Sequence, residues 1–390
     1  MKAGGRGSYD VVVAGAGAAG LMAAIRAGQR GRRVLVLEHT DKVGAKILIS
    51  GGGRCNFTNL DARPEAFLSA NPHFCKSALA RYTQHDFIAL VDRHGIAWHE
   101  KTLGQLFCDG SARQVVAMLR AEASAAGVEI RTGCRISGVE KRDRFGIATD
   151  HGAFDAASLV LATGGLSIPK MGATGFAHDV ARRFGLTIVA PRPGLVPLTL
   201  PVPSLAGVSL EVEARLDAAC FREAMLFTHR GLSGPAVLQV SSYWTPGRPV
   251  AIDLLPDLDA AAWLKDGKRT RPRAELRTLL AERLPQRLAQ HLADESGSSA
   301  PLAERRDRDL EGLAGRLKAW RIEPNGTEGY AKAEVTVGGV DTASLSSRTM
   351  EAREVPGLFV VGEAVDVTGW LGGYNFQWAW SSGWVAGEAA

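Results

Sequence analysis

An α/β protein organised around a Rossmann-like dinucleotide-binding unit is the fold that this 390-residue chain predicts. Three observations carry the prediction. The stretch Tyr9 to Glu38 reads as strand, glycine turn, helix, second strand and terminal acid. The closing stretch, Gly357 to Ala390, repeats the logic of strand, glycine-rich turn and helix. Between them, from Pro191, the texture changes to prolines with alternating apolar residues, then to Arg, Glu, Leu and Ala at helical spacing.

In the first stretch, Gly15, Gly17 and Gly20 satisfy G-x-G-x-x-G between a strand ending at Ala14 and a helix. Gly15 permits the tight turn, Gly17 lets backbone approach a pyrophosphate, and Gly20 lets the helix pack close to the strand. The helix N-terminus, with Ala18 and Ala19 in its first turn, presents unpaired N–H groups and about half a positive charge. Glu38 ends the second strand, where an acid accepts hydrogen bonds from ribose hydroxyls; with no basic substitute nearby, this favours FAD or NAD over NADP. The residues alone leave FAD and NAD unseparated.

The segment His39 to Asn59 holds three consecutive glycines, Gly51, Gly52 and Gly53, before Arg54, Cys55 and Asn56. Ordering such a loop costs much conformational entropy, so a partner that orders it is expected. Lys46, Arg54, Asn56, Thr58 and Asn59 are the donors it offers to phosphates or to the polar edge of a flavin. Pro72 to His94 reads as a helix, and Ser111 to Ala126 as another with Ser111 as N-cap. Strands are expected at Val128 to Thr132, Phe145 to Thr149 and Asp155 to Thr163. The last runs into Gly164 and Gly165, a second place where backbone can pass near a bound dinucleotide.

From Pro191 a largely antiparallel, β-rich region is expected. Leu226 to Trp244 reads as strand, polar turn and helix, with Pro235 in the first helical turn. That turn offers Thr228 and His229 as substrate candidates, and Ser233 as either a ligand or the helix cap. Leu255 to Trp320 reads as a helical subdomain whose mixed charges make a solvated face, and Glu323 to Val340 returns to strand character. At the end, Leu358 to Val361 is a buried strand stopping at Gly362 and Glu363, followed by the loop GWLGGYN and a helix from Phe376 to Ala386. Tryptophans at helical spacing there are expected to pack in the core, whereas Trp370, in the loop, is a substrate candidate. The domain boundaries are accordingly 1–190 and 341–390 for the nucleotide-binding part, 191–254 with 321–340 for the β-rich insertion, and 255–320 for the helical subdomain.

A net charge of +5 is modest for this size and makes no strong case for nucleic acid. The N-terminal MKAGGRGS lacks the apolar core of a signal peptide, no run of about 20 apolar residues suggests a membrane span, and the cytoplasm is the expected location. The five cysteines, Cys55, Cys75, Cys108, Cys134 and Cys220, form no CxxC pair or zinc-spaced cluster, so no metal is expected.

The chain resembles the two-nucleotide-fold FAD flavoproteins. More closely, four motifs resemble the BaiN-type, or aminoacetone-oxidase-like, NAD(P)/FAD-dependent oxidoreductases: GxKxxxSGGGRCNxTN (Gly44 to Asn59), the strand end Thr163 to Gly165, THxGLSGP (Thr228 to Pro235) and GExxDxxGxxGGYNxQxAxxSG (Gly362 to Gly383). The resemblance covers essentially the whole chain. It implies FAD in a discontinuous Rossmann-like domain, an inserted β-rich domain and a helical subdomain. By position it places Gly15, Gly17 and Gly20 on the pyrophosphate and Glu38 on the adenosine ribose. Arg54, Cys55 and Asn56 then approach the flavin, Glu363 lies at the ribityl or pyrophosphate region, and Gly373, Tyr374 and Asn375 meet the pyrimidine side. The text GQLFCDGSA from Gly104 departs from the family's GRxFP followed by a serine, which puts inherited specificity in doubt if that loop touches substrate. The function implied is an FAD-dependent oxidoreductase moving a hydride between flavin and a small organic substrate, with NAD(P)H or O₂ as second substrate. Three readings stand: an oxidase of an amine or amino-ketone, an NAD(P)H-dependent reductase of an unsaturated carbonyl compound, and an RNA-associated flavoprotein. No catalytic residue is assigned.

Overall fold

The computed structural model describes residues 7–201, 205–297 and 300–390. The expectations for the extreme N-terminus and for the proline-rich stretch therefore lie, at 1–6 and 202–204, outside the described residues. The chain divides into one unit of residues up to 192 with 335–390, and a second of 193–334.

The first unit is a seven-stranded sheet with helices. Its opening strand, Gly7–Ala14, lies between Val34–Leu37 and Gly152–Leu161, parallel to both. Glu129–Arg131 extends the sheet beyond Val34–Leu37. Gly152–Leu161 is long enough to take two partners along one edge. Its first half pairs antiparallel with Phe145–Thr149, and its last three residues pair parallel with Leu358–Val360 from the far end of the chain. The four central parallel strands are runs of Val, Leu and Phe buried at their carboxyl ends, the pattern of a sheet covered on both faces. Four strand ends thus converge: Ala14 before Gly15, Leu37 before Glu38, Leu161 before Thr163, and Val360 before Gly362. Ligands of open α/β sheets bind at this carboxyl edge.

The helix Ala18–Gln29 packs against the C-terminal helix Tyr374–Ala389, and small residues set the spacing. A Cβ on Gly383 would lie 2.3 Å from Ala19 O, and one on Gly387 would lie 2.4 Å from Ala23 O. Bare glycines one turn apart let the two backbones touch. Trp380 is fully buried, stacks on Phe87 at 4.2 Å and donates to Phe57 O (2.8 Å). Trp378 donates to Gly362 O (3.0 Å). Both are core residues, as the helical spacing predicts.

The stretch Pro72 to His94 is two helices, Lys76–Arg81 and Gln84–Arg93, not one. Tyr82 is extended, and Thr83 starts a new helix with a reciprocal cap to Asp86. A capping box inside an apolar-periodic run ends one helix and begins another. Ser111 caps Ala112–Ala125 as expected.

The second unit carries a seven-stranded antiparallel sheet ordered Trp320–Ile322, Val250–Asp253, Ser209–Leu216, Ala219–Phe227, Gly231–Ser233, Leu198–Thr199 and Gly326–Thr327. The helices Ala260–Thr270, Leu276–Leu280, Gln286–Glu295 and Asp307–Lys318 fall within the stretch read as helical. The chain re-enters the first unit at Val335, whose strand Val335–Val340 pairs with Ile188–Gly194. No helix among the described residues is long and apolar enough to cross a membrane.

Candidate functional site

The glycine turn is tied down so that only part of its backbone stays free. Gly15 N donates to Leu37 O (2.8 Å) and Ala16 N to Glu38 Oε2 (3.0 Å). Gly17 then begins the helix with no side-chain cap and no acid in the first turn. The next N–H groups, of Ala18, Ala19 and Gly20, are those that a helix start leaves without intrahelical acceptors. Gly15 needs its glycine for conformation (φ +106°), and Gly20 for packing, since a Cβ there would lie 2.0 Å from Gly15 O. Gly17 needs it for neither reason. Its φ of −83° suits any residue, and no protein atom lies within 4 Å of where its Cβ would be.

Glu38 is buried, accepting at Oε1 from Thr40 N and Oγ1 (both 2.9 Å) and at Oε2 from Ala16 N. Each carboxylate oxygen takes two donors, so Oε2 retains an acceptor direction suited to a ribose hydroxyl.

On the other side of the turn, Thr163 Oγ1 is buried without a protein partner, and Gly164 (φ +74°) has no atom within 4 Å of a Cβ position. Gly362 lies against the first helix, its Cβ position 2.9 Å from Ala19 Cβ. Glu363 joins a compact network. Lys46 Nζ donates to Glu363 Oε2 and to Ser167 Oγ (both 2.6 Å), Ser167 Oγ donates to Glu363 Oε1 (2.6 Å), and Thr336 N donates to the same oxygen (3.0 Å). Burial pushes the Glu363 carboxyl up, but Lys46 and the hydroxyl and amide donors outweigh it and hold it below the usual range. Gly165 leaves room for this network, since a Cβ there would lie 2.4 Å from Thr336 Oγ1. Ser167 and Thr336 were not singled out from the sequence; Ser167, two residues past Thr-Gly-Gly, carried the available signal.

The loop Ser50–Arg54 carries Gly51 and Gly52 in the left-handed region, with Gly52 open on its Cβ side and Arg54 exposed. Cys55 also has positive φ (52°) and is fully buried; burial pushes its thiol up to about 12. A thiol held that firmly protonated is a packing group. Cys55→Ser is expected to cost about 1–3 kcal/mol of stability while keeping FAD and most turnover. Loss of all turnover at normal flavin content would instead give the sulfur a chemical role.

The two ends of the chain meet here. A Cβ on Gly373 would lie 2.3 Å from Thr58 O, and Asn59 Nδ2 donates to Gly372 O (2.9 Å). Asn56 faces Gly373 N at 3.2 Å, with its amide oxygen turned to accept. Thr58 and Asn59, read from the sequence as ligand donors, are buried and spent on structure: Thr58 Oγ1 donates to Gln377 Oε1 (2.6 Å) and Asn59 to backbone carbonyls. Asn375 closes the loop before it by exchanging bonds with Gly369 N and O (2.8 and 2.9 Å). Tyr374 is buried between Phe67 and the half-buried Trp370.

Thr228 and His229 belong to the second unit. The Thr228 hydroxyl accepts from Arg230 N and Gly231 N within its own turn, and His229 is exposed. Ser233 is not the helix cap; Gly234, at φ +89°, takes that position. Cys134, Asp150 and His151 bring potential metal-ligand atoms within 4.8 Å of one another. Asp150 Oδ1, however, already accepts from Arg135 N (2.8 Å) and faces His151 Nδ1 (2.9 Å).

The residues present fit an FAD. Gly17 is explained by neither conformation nor a protein neighbour, the Thr163 hydroxyl is buried without a partner at the end of the adjacent strand, and free helix-start N–H groups lie at the same sheet edge. The comparisons agree in fold. The model of the HI0933-like protein Rossmann domain matches residues 9–389. The chain is 54% identical over 391 residues to the ribosomal RNA dihydrouridine synthase of Escherichia coli (strain K12), covering 97% of each protein. It is 30% identical over 405 residues to the 3-dehydro-bile acid delta(4,6)-reductase of Clostridium scindens, covering 97% and 98%. Among solved structures, the 3-ketosteroid-delta4-(5alpha)-dehydrogenase of Rhodococcus jostii RHA1 superposes at a TM-score of 0.52 with 18% identity, over 99% of this chain and 98% of that one.

Proposed function

Because the chain belongs to the HI0933-like family and has its FAD-binding Rossmann-like fold, we propose that it is a flavin-dependent reductase that converts uridine to dihydrouridine in ribosomal RNA. The observation that carries this is the end-to-end likeness to the Escherichia coli ribosomal RNA dihydrouridine synthase. The more distant bile acid relative supports the reaction class, since both names describe adding hydrogen across carbon–carbon double bonds. The BaiN-type motif resemblance points to the same class, and the reading as an amine or amino-ketone oxidase recedes beside it. Fold alone does not choose a substrate.

Bound FAD supplies a hydride from its reduced ring. In uracil, the C5=C6 bond is polarised by the C4 carbonyl, so the hydride goes to C6 and a proton to C5. A reduced nicotinamide supplies the two electrons consumed in each turnover. The chain's own residues do the holding. Ala18, Ala19 and Gly20 N–H groups bind the pyrophosphate, with Gly15 and Gly17 letting backbone come close. Glu38 takes the adenosine ribose. Lys46, fixed by Glu363 at 2.6 Å, is a cation at the phosphate–ribityl region, while Thr163, Gly164 and Gly362 line that side. Gly52, Cys55 and Asn56, with Gly373, Tyr374 and Asn375, would hold the flavin end of the cofactor. The proton at C5 is drawn ultimately from solvent, and no residue is assigned to deliver it.

Purified protein with FAD and NADH or NADPH is expected to add two hydrogens to a uridine of ribosomal RNA, read by nucleoside mass spectrometry. Unchanged RNA, together with anaerobic reduction of the flavin by an amine and its reoxidation by O₂, would transfer the assignment to an oxidase.

A further inference from the structure

Among the described residues, the exposed large apolar side chains are Ile49 (44%), Leu60 (37%) and Leu103 (61%). Leu60 and Leu103 lie on loops that border the site. Ile49 ends the short helix that carries Lys46. Leu60 follows the strand Asn56–Asn59, and Leu103 lies in the turn between Trp98–Glu100 and Gln105–Cys108. Leu60 N donates to Gly104 O (2.9 Å), so Leu60 and Leu103 are neighbours.

The Leu103 turn is braced on every side. Asn59 Nδ2 donates to Leu103 O (3.0 Å) and to Gly372 O (2.9 Å), so a single amide joins the turn to the loop that starts the C-terminal helix. Gly104 N donates to Glu100 Oε1 (3.0 Å), and Gln105 N to Thr102 O (3.0 Å). Leu103 has φ +49°, a conformation that costs an L-residue about 1–2 kcal/mol. Connecting two strands calls for Gly, Asn or Asp at such a position. A leucine in this conformation, open to solvent at the rim of a site, points to a functional role rather than to packing.

The charges around this turn are mixed: Lys101 lies over the Phe107 ring at 5.5 Å, Glu100 accepts from Gly104 N (3.0 Å), and Asp61, next to Leu60, pairs with Arg63 (3.3 Å). Apolar tips with a lysine beside them match a stacked nucleic acid, whose bases are apolar on their faces and whose backbone is anionic. An enzyme acting on a base in a stack must turn it out, at a cost of a few kcal/mol, and an apolar side chain inserted between bases offsets that cost.

We propose that the turn bearing Leu103, with Leu60 beside it, is a wedge. It enters folded ribosomal RNA and fills the place of the uridine turned out towards the flavin, while Lys101 holds a flanking phosphate. The proposal rests on the dihydrouridine reading above and deepens it.

The test compares wild type and Leu103→Asn on a ribosomal RNA stem-loop with the target uridine in its stem, and on a linear, unstructured oligonucleotide with the same uridine. Asn tolerates positive φ, so the variant keeps the turn. FAD content and the rate of flavin reduction by NADPH are measured alongside. The expected result is that kcat/KM falls at least about tenfold on the stem-loop and stays within about twofold on the linear RNA, at unchanged flavin content. Equal rates of wild type and variant on both RNAs overturn the wedge. Equal losses on both overturn it too, since Leu103 would then act at the reacting base. If wild type reduces neither RNA, the dihydrouridine reading itself fails and the wedge falls with it.

Discussion

Gly17→Val gives a folded, colourless protein. The fold has no use for glycine at this position: the backbone is extended, and a Cβ meets no protein atom within 4 Å. Circular dichroism and thermal unfolding of the flavin-free variant should therefore match those of the flavin-free parent. The branched side chain instead fills the space in front of Ala18, Ala19 and Gly20, where the pyrophosphate approaches. Losing two charge-assisted bonds of about 1.5–3 kcal/mol each weakens FAD binding by a factor on the order of 10²–10⁴. Flavin absorbance after gel filtration reads the outcome. Gly20→Val is the contrast, because its Cβ falls 2.0 Å from Gly15 O and the fold itself suffers. A Gly17→Val protein that stays yellow at one FAD per chain would remove the pyrophosphate from this turn.

The same residue shows why part of this site was legible from the sequence. Gly15, Gly17, Gly20 and Glu38 sit in one continuous βαβ stretch, where short-range spacing fixes geometry. The Ser111 cap and the helical run of 255–320 were legible for the same local reason. Across long separations, residue type alone does not tell a ligand donor from a structural one. Thr58 and Asn59 looked like donors for a flavin, yet the nearby C-terminal helix and Gly372 take up their bonds. Ser167 and Thr336 looked like nothing in particular, and gain meaning only when Lys46 and Glu363, 317 residues apart, are brought to 2.6 Å. The split of Pro72 to His94 was readable in principle, because Thr83 and Asp86 have capping-box spacing; the apolar periodicity runs through it and masks it.

That long-range ion pair carries the second large effect. Lys46→Met is expected to cost about 2–3 kcal/mol at neutral pH, below the full loss for breaking a buried pair because the lysine side chain is 33% exposed. The signature that separates this from lost packing is its pH dependence. In the wild type the folded-state pKa of Glu363 lies below its unfolded value of about 4.3. Its contribution is therefore fully present above that value, and is lost as pH falls through the lower folded-state pKa. Without Lys46, burial dominates and the carboxyl rises above its unfolded value. In the variant, folding then favours the protonated acid, and that contribution is lost as pH increases through the raised pKa. The stability difference between the two flavin-free proteins should accordingly be largest at pH 7 and shrink below about pH 5. Urea unfolding at a series of pH values measures it. A difference that stays constant from pH 7 to pH 4 would mean that Lys46 acts through its methylene chain, and that Glu363 is held down by Ser167 and Thr336 alone.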